Sequence, residues 1–157
     1  MKILRGVLIV ALVLVATLII VAPVGPLPGI FMRGEAAAVP DQWPDTSKVH
    51  EIQLRVPGVV PRVVNIWVVE YAGDLYIVGA KRSGWVAMLG GGGPVKMRLG
   101  DNTYALTATP VATGWEAVLQ AYVDKYRPDY PEIIAGFPSI DEAKSTVAVF
   151  RLGPRSH

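Results

Sequence analysis

Cysteine is absent from the 157 residues, and histidine occurs only twice, at His50 and His157. Without cysteine there is no disulfide framework and no thiolate metal site. Two histidines so far apart supply neither a His-rich metal centre nor a Ser-His-Asp set, so no catalytic and no metal-ligating residue is expected. His50, beside Glu51 at the start of a predicted strand, reads as a surface histidine. An excess of one charge is missing as well. Lys and Arg total 15 against 13 Asp and Glu, and setting aside Lys2 and Arg5 leaves 13 of each. A balanced domain without a block of like charges lacks the electrostatic footprint of a nucleic-acid binder. Paired carboxylates are missing too: Glu70 and Asp74 flank a predicted hairpin, where turn geometry and solvation account for them.

What is abundant is aliphatic sequence, and it is concentrated at one end. From Gly6 to Val24 the chain reads GVLIVALVLVATLIIVAPV without a charge. A spanning helix needs about 20 apolar residues at 1.5 Å each to cross roughly 30 Å of hydrocarbon, and Ile3 to Val24 meets that length with Thr17 as its only strongly polar side chain. Residues 1–24 are therefore expected to be a single transmembrane anchor. The alternative is a cleaved signal peptide, for which the small residues of EAAA at 35–38 offer a protease site. The apolar run is longer than the usual h-region of about 7–15 residues, and the alanines lie well beyond its end. Lys2 and Arg5 favour an N-terminus in the cytoplasm and the rest of the chain outside it. Residues 25–50, rich in Pro and Gly, read as a linker, extended because proline fixes φ and removes a donor.

From Glu51 the apolar period becomes two, and residues 51–157 read as one domain. EIQLRV alternates Ile52, Leu54 and Val56 with polar neighbours. RVVNIWVVEY (62–71) and DLYIVGA (74–80) are β-branched and aromatic runs joined at Ala72-Gly73, a hairpin signal. VKMRL (95–99) and TYALTATPV (103–111) form a second hairpin through Gly100-Asp101-Asn102, and STVAVFRL (145–152) is the last strand. Six antiparallel strands in so short a chain avoid exposed edges by closing into a barrel. One helix is well signalled. Thr113 with Glu116 has the spacing of a capping box, Trp115, Val118, Leu119, Tyr122 and Tyr126 fall at helical spacing, and Pro128 ends the element. That aromatic stripe reads as packing against the barrel. SIDEAK adds a further helical turn capped by Ser139.

The stretch KRSGWVAMLGGGGPVKMRL (81–99) raises the question of a phosphate cradle. A P-loop needs its glycines between a strand and a helix, followed by Lys and Ser or Thr, so that backbone N–H groups converge on the anion. Gly90 to Gly93 run instead into Pro94 and a strand, so they make a turn. Only Lys81, Arg82 and Ser83 remain as a candidate anion site.

The order of elements, with Pro61-Arg62 opening a strand, Gly73-Asp74-Leu75-Tyr76 at the hairpin, Trp85 with Leu89 before the next strand, and Val95 to Gly100 leading to Tyr104, resembles the split β-barrel family of pyridoxamine-phosphate-oxidase-like flavoproteins and deazaflavin-dependent nitroreductases. The resemblance covers about residues 51 to 152. It implies a mainly β (α+β) fold: a six-stranded antiparallel split barrel with one packed helix, here preceded by a transmembrane helix. It also implies that Lys81, Arg82 and Ser83 occupy the loop that binds the cofactor phosphate, where charge-assisted hydrogen bonds would hold it. The chain departs from the family pattern in two places. LRVPGVV replaces the basic, glycine-containing segment before the Pro-Arg strand, and the loop bearing Trp85 is contracted. With the cofactor side so altered and reactive side chains scarce, the expected function is a non-catalytic, membrane-anchored accessory or assembly subunit of a larger membrane complex. Its partners are then membrane lipid and other membrane subunits. The alternative is a membrane-anchored oxidoreductase using FMN or a deazaflavin, acting on quinones or similar lipophilic acceptors.

Overall fold

The computed structural model describes residues 2–21 and 29–155. Helix α1 spans Lys2–Val21. Its described side chains, at 7–17, are all exposed, and Thr17 Oγ1 donates to the Val13 carbonyl at 2.8 Å. Those eleven positions cover about 16 Å at the helical rise. Among the described residues no helix is long and apolar enough to cross a membrane. The anchor expected over 1–24 runs past that stretch at both ends, and residues 1 and 22–24 lie outside the described residues, as do 25–28 of the expected linker.

Six strands follow the alternation closely: β2 Glu51–Val56, β3 Arg62–Tyr71, β4 Asp74–Ala80, β5 Gly93–Leu99, β6 Asn102–Pro110 and β7 Val147–Pro154. They pair in the order β6-β5-β2-β3-β4-β7, and β7 pairs back to β6, which closes the barrel. All six pairings are antiparallel, with Leu54 opposite both Val64 and Met97, and Ile77 opposite Phe150. Alternation decides what the wall encloses. Leu54, Leu75, Ile77, Met97, Leu106 and Leu152 point inward, each 0–1% exposed, while Val69, Tyr76 and Val149 face outward under the helices.

Several elements close the gaps. A short strand not expected from the sequence, β1 Glu35–Ala37, lies parallel to the start of β6, with Ala37 opposite Tyr104. Gly29 makes an antiparallel bridge to Val63 through two backbone hydrogen bonds of 2.7 Å. Trp43 packs edge-on to Tyr104 at 5.1 Å, and Thr46 is buried. The described part of the expected linker, 29–50, is thus laid on the barrel along edges that β4 and β7 leave uncovered. The loop expected around Trp85 is helix α2, Gly84–Leu89, which plugs one end of the barrel with Trp85, Val86 and Leu89. Gly79 leaves room for the Trp85 ring, since a Cβ there would collide with it.

The tetraglycine forms the expected turn. Gly90 and Gly92 adopt φ of 54° and 100°, their N–H groups are taken by the Val86 and Leu89 carbonyls, and a Cβ on Gly92 would stand 2.5 Å from the Ala108 carbonyl oxygen. Helix α3, Trp115–Tyr126, packs on the outer face of the barrel through Val118, Tyr122 and Tyr126. Its expected capping box does not form. Gly114, left-handed at φ 73°, takes the N-cap position without a side-chain cap, which moves Thr113 outside the helix. The reciprocal pair forms instead in α5, Ile140–Thr146, between Ser139 and Glu142. Ser145 and Thr146, expected in the last strand, bond back to the Glu142 carbonyl and extend α5. Between the two helices lies α4, Pro131–Ala135, where only a connection was expected.

Candidate functional site

The barrel has two ends. The β2–β3 turn, α2, the glycine turn and the starts of β5 and β7 are at one, and the β3–β4 and β5–β6 turns are at the other. Lys81, Arg82 and Ser83 stand at the first, where β4 leaves the barrel. Beside them an open groove of about 950 Å³ runs between the β4–β7 wall and the helices. Its apolar side is Val78, Tyr122, Phe137 and Val147, and its lip carries Lys81 and Arg82 with Glu142 opposite. Tyr122 and Phe137 stack with ring centres 5.9 Å apart. A second groove of about 410 Å³ shares Lys81 and adds Trp115, Lys144 and Phe150. Over the two linings there are three cations to one carboxylate.

The three sequence-predicted residues are together but not equivalent. The Lys81 ammonium donates to the Lys144 carbonyl at 2.8 Å, and its backbone N–H donates to Thr146. The Ser83 hydroxyl donates to the Ala80 carbonyl at 2.7 Å, so Ser83 holds the strand-to-helix turn and does not line either groove. Arg82 is exposed on the lip. The Glu142 carboxylate accepts from the Ser139 hydroxyl and backbone N–H, and these bonds hold its pKa below the usual value. Burial, with the neighbouring Tyr126 adding to it, pushes the Tyr122 phenol far up, so it stays neutral. The sequence singled out the loop but not the side chains that face it. Tyr122 was read as packing, which it also is, and Phe137 follows a helix too short to show a period.

A second polar cluster lies under the far end of α3. The half-buried Lys125 ammonium donates to three carbonyls, Thr46, Val49 and Val68, at 2.8–2.9 Å. The Tyr126 hydroxyl accepts from the Val68 N–H at 3.0 Å and faces the carbonyls of His50 and Val68 at 2.6 and 2.7 Å. His50, expected at the surface, is clamped between Asp129 at 3.1 Å and the Tyr130 hydroxyl at 3.1 Å. Every polar group there has a partner, so the cluster joins the 46–50 segment, β3 and α3. Among the described residues no group of three or more His, Asp or Glu is placed to hold a metal ion.

A closed barrel of six antiparallel strands, with α2 plugging one end and α3 packed on the outer face, has the form of a split β-barrel. No family model and no curated protein matches the sequence. Among solved structures, the chain is similar to the FAD and heme binding protein from Mycobacterium smegmatis, at 15% identity and a TM-score of 0.50, over 68% of this chain and 61% of that one. It is also similar to HutZ, the heme storage protein from Vibrio cholerae, at 16% identity and a TM-score of 0.49, over 69% and 83%. A NimC/NimA family protein from Clostridium acetobutylicum gives 20% identity and a TM-score of 0.47, over 66% and 71%. The chain spans less than two thirds of the M. smegmatis protein. At these identities the likeness is one of fold.

Proposed function

We propose that this chain is a cofactor-binding split barrel held at a membrane by its N-terminal helix, and that the cofactor is a phosphate-bearing flavin or deazaflavin. The observation that carries the reading is the groove beside the β4 exit, where an aromatic wall faces a lip of two cations. Tyr122 and Phe137 suit a flat ring system, and Arg82 suits a phosphate, because guanidinium offers planar, charge-assisted donors. The solved neighbour that binds FAD and heme supports the same class. A flavin fits the donor set better than heme does. Neither groove is lined by His, Cys or Met, and burial keeps Tyr122 protonated, so the usual axial ligands are not among the lining residues. A bound flavin would supply hydride or electron transfer; the residues here would bind its phosphate, orient its ring and shield one face from water. In this reading the cations Lys2 and Arg5 favour a cytoplasmic N-terminus, with the barrel on the other side of the membrane.

One observation favours the accessory reading instead: Lys81 and Ser83 are already engaged with backbone carbonyls. The two readings separate in a binding titration of the purified full chain with FMN and with a deazaflavin, followed by fluorescence. Saturable binding that weakens about a hundredfold or more in Lys81→Ala/Arg82→Ala is the expected result, from roughly 1.5–3 kcal/mol for each charged hydrogen bond. No saturable binding by the wild type, with the double variant indistinguishable from it, returns the protein to the accessory class.

A further inference from the structure

Near Lys81 the same end of the barrel carries apolar side chains with nothing over them. In the β2–β3 turn Val59 is fully exposed and Val60 is 63% exposed. Met88 of α2, itself partly exposed, lies against Gly58, so the turn and the helix form one surface. After the bridge from Gly29 to Val63 the chain bends at Ile30 and leaves this end, reaching Asp101 by Glu35, so the patch is made by the turn and α2. These three side chains are flanked by Arg62, whose guanidinium lies against Gly84, and by Lys81, Arg82 and Lys144, with Glu142 the one carboxylate beside them. The opposite end is different. Its turns and strand ends carry Glu35, Glu51, Glu70, Asp74 and Asp101, and two of its arginines are drawn into pairs, Arg151 with Asp74 at 3.3 Å and Arg98 with Asp101 at 3.5 Å.

We infer that this apolar, cation-flanked end is a lipid-contacting surface, with Val59, Val60 and Met88 entering the acyl boundary of an anionic bilayer and the four cations at headgroup level. The inference rests on the membrane reading of α1 and goes beyond it, because an anchor alone leaves the barrel free to face either way. What selects lipid as the occupant is the chain path. Gly29 is bonded to Val63 next to the patch, and only eight residue steps separate it from Val21, a reach of at most about 28 Å. An apolar tip flanked by Lys and Arg is what an anionic interface attracts. The cofactor groove, which shares Lys81 and Arg82 with this flank, then opens beside the headgroups.

Because the chain has no native cysteine, single-site labelling tests the orientation directly. The full chain carrying Val59→Cys, and separately Asp101→Cys at the opposite end, is labelled with an environment-sensitive fluorophore and reconstituted into vesicles of phosphatidylcholine and phosphatidylglycerol. The expected result is a blue-shifted label at 59, quenched several-fold more by lipid-borne nitroxide than by iodide, and the reverse at 101. Val60→Asp, at an exposed position that leaves the fold intact, abolishes the lipid quenching at 59. If both labels report water while the chain floats with the vesicles, the docking surface is overturned and the anchor stands. If the chain does not float, the anchor reading fails and the inference fails with it. A label at 59 that is shielded without lipid and cross-links to a second copy assigns the patch to a dimer, which also overturns the inference.

Discussion

The two sides of the barrel wall are packed with different chemistry. Inside, the contacts are aliphatic: Leu54, Leu75, Ile77, Met97 and Leu106 meet with almost no exposure. Outside, under α3, they are aromatic and polar at once. Trp67 stacks on Tyr126 at 4.1 Å and lies 4.8 Å from Tyr130, while Tyr126 and Lys125 bond to the backbone of β3 and of the 46–50 segment. The interior needs volume and a period of two. The outer layer needs particular hydroxyl and ammonium groups at particular carbonyls, because an aromatic wedge between helix and sheet otherwise leaves backbone groups of an irregular segment without partners.

That contrast can be broken by substitution. The largest effect is expected for Leu54→Ala, about 2–5 kcal/mol of lost stability from transfer and cavity terms, read by urea unfolding of the full chain in mild detergent. Tyr126→Phe keeps the ring and its stacking but removes the hydroxyl, leaving the Val68 N–H without its partner. A loss of about 1–3 kcal/mol is expected, with hydrogen exchange rising first at residues 46–50 and at Val68. If Tyr126→Phe costs as little as a surface change, the outer layer is held by packing alone and the contrast disappears.

The smallest effect is one of pH. Burial lowers the Lys125 pKa below its ordinary 10.5, with Glu70 and Asp45 opposing weakly. The folded state therefore binds this proton less tightly than the unfolded state does. Stability from this group increases as pH rises through the lowered value towards the ordinary one and is flat below that window. Unfolding midpoints measured across the window should show this gain in the wild type and lose it in Lys125→Met, while Leu54→Ala keeps it. A wild type whose stability falls there because of Lys125 reverses the sign and removes the burial argument.

The same contrast explains what was legible in the sequence. Strands β2 to β7 show in the alternation because their inner face meets one aliphatic core, and closure follows from the lack of room for open edges. The short pieces did not show. EAA in β1 has no alternating apolar face, and its strand character comes from the edge of β6, about 67 residues away in sequence (Glu35 to Asn102). Two Ser/Thr-x-x-Glu patterns were available, and only Ser139–Glu142 forms a box, because Gly114 moves the start of α3 past Thr113. Lys81 to Ser83 stood out as adjacent polar residues in a loop. The wall facing them comes from α3 and from the α4–α5 connection, and no local pattern reports that approach.

The Gly29–Val63 bridge has a consequence for local concentration. Without it the first residue paired to the barrel is Glu35, opposite Asn102, about 49 Å of extended chain from Val21, whereas a tether pinned at Gly29 extends at most about 28 Å. The volume open to the barrel falls with the cube of that ratio, about fivefold. Were α1 held in a bilayer, as proposed, these two backbone hydrogen bonds would raise the effective concentration at which the barrel meets lipid-dissolved molecules in the same proportion.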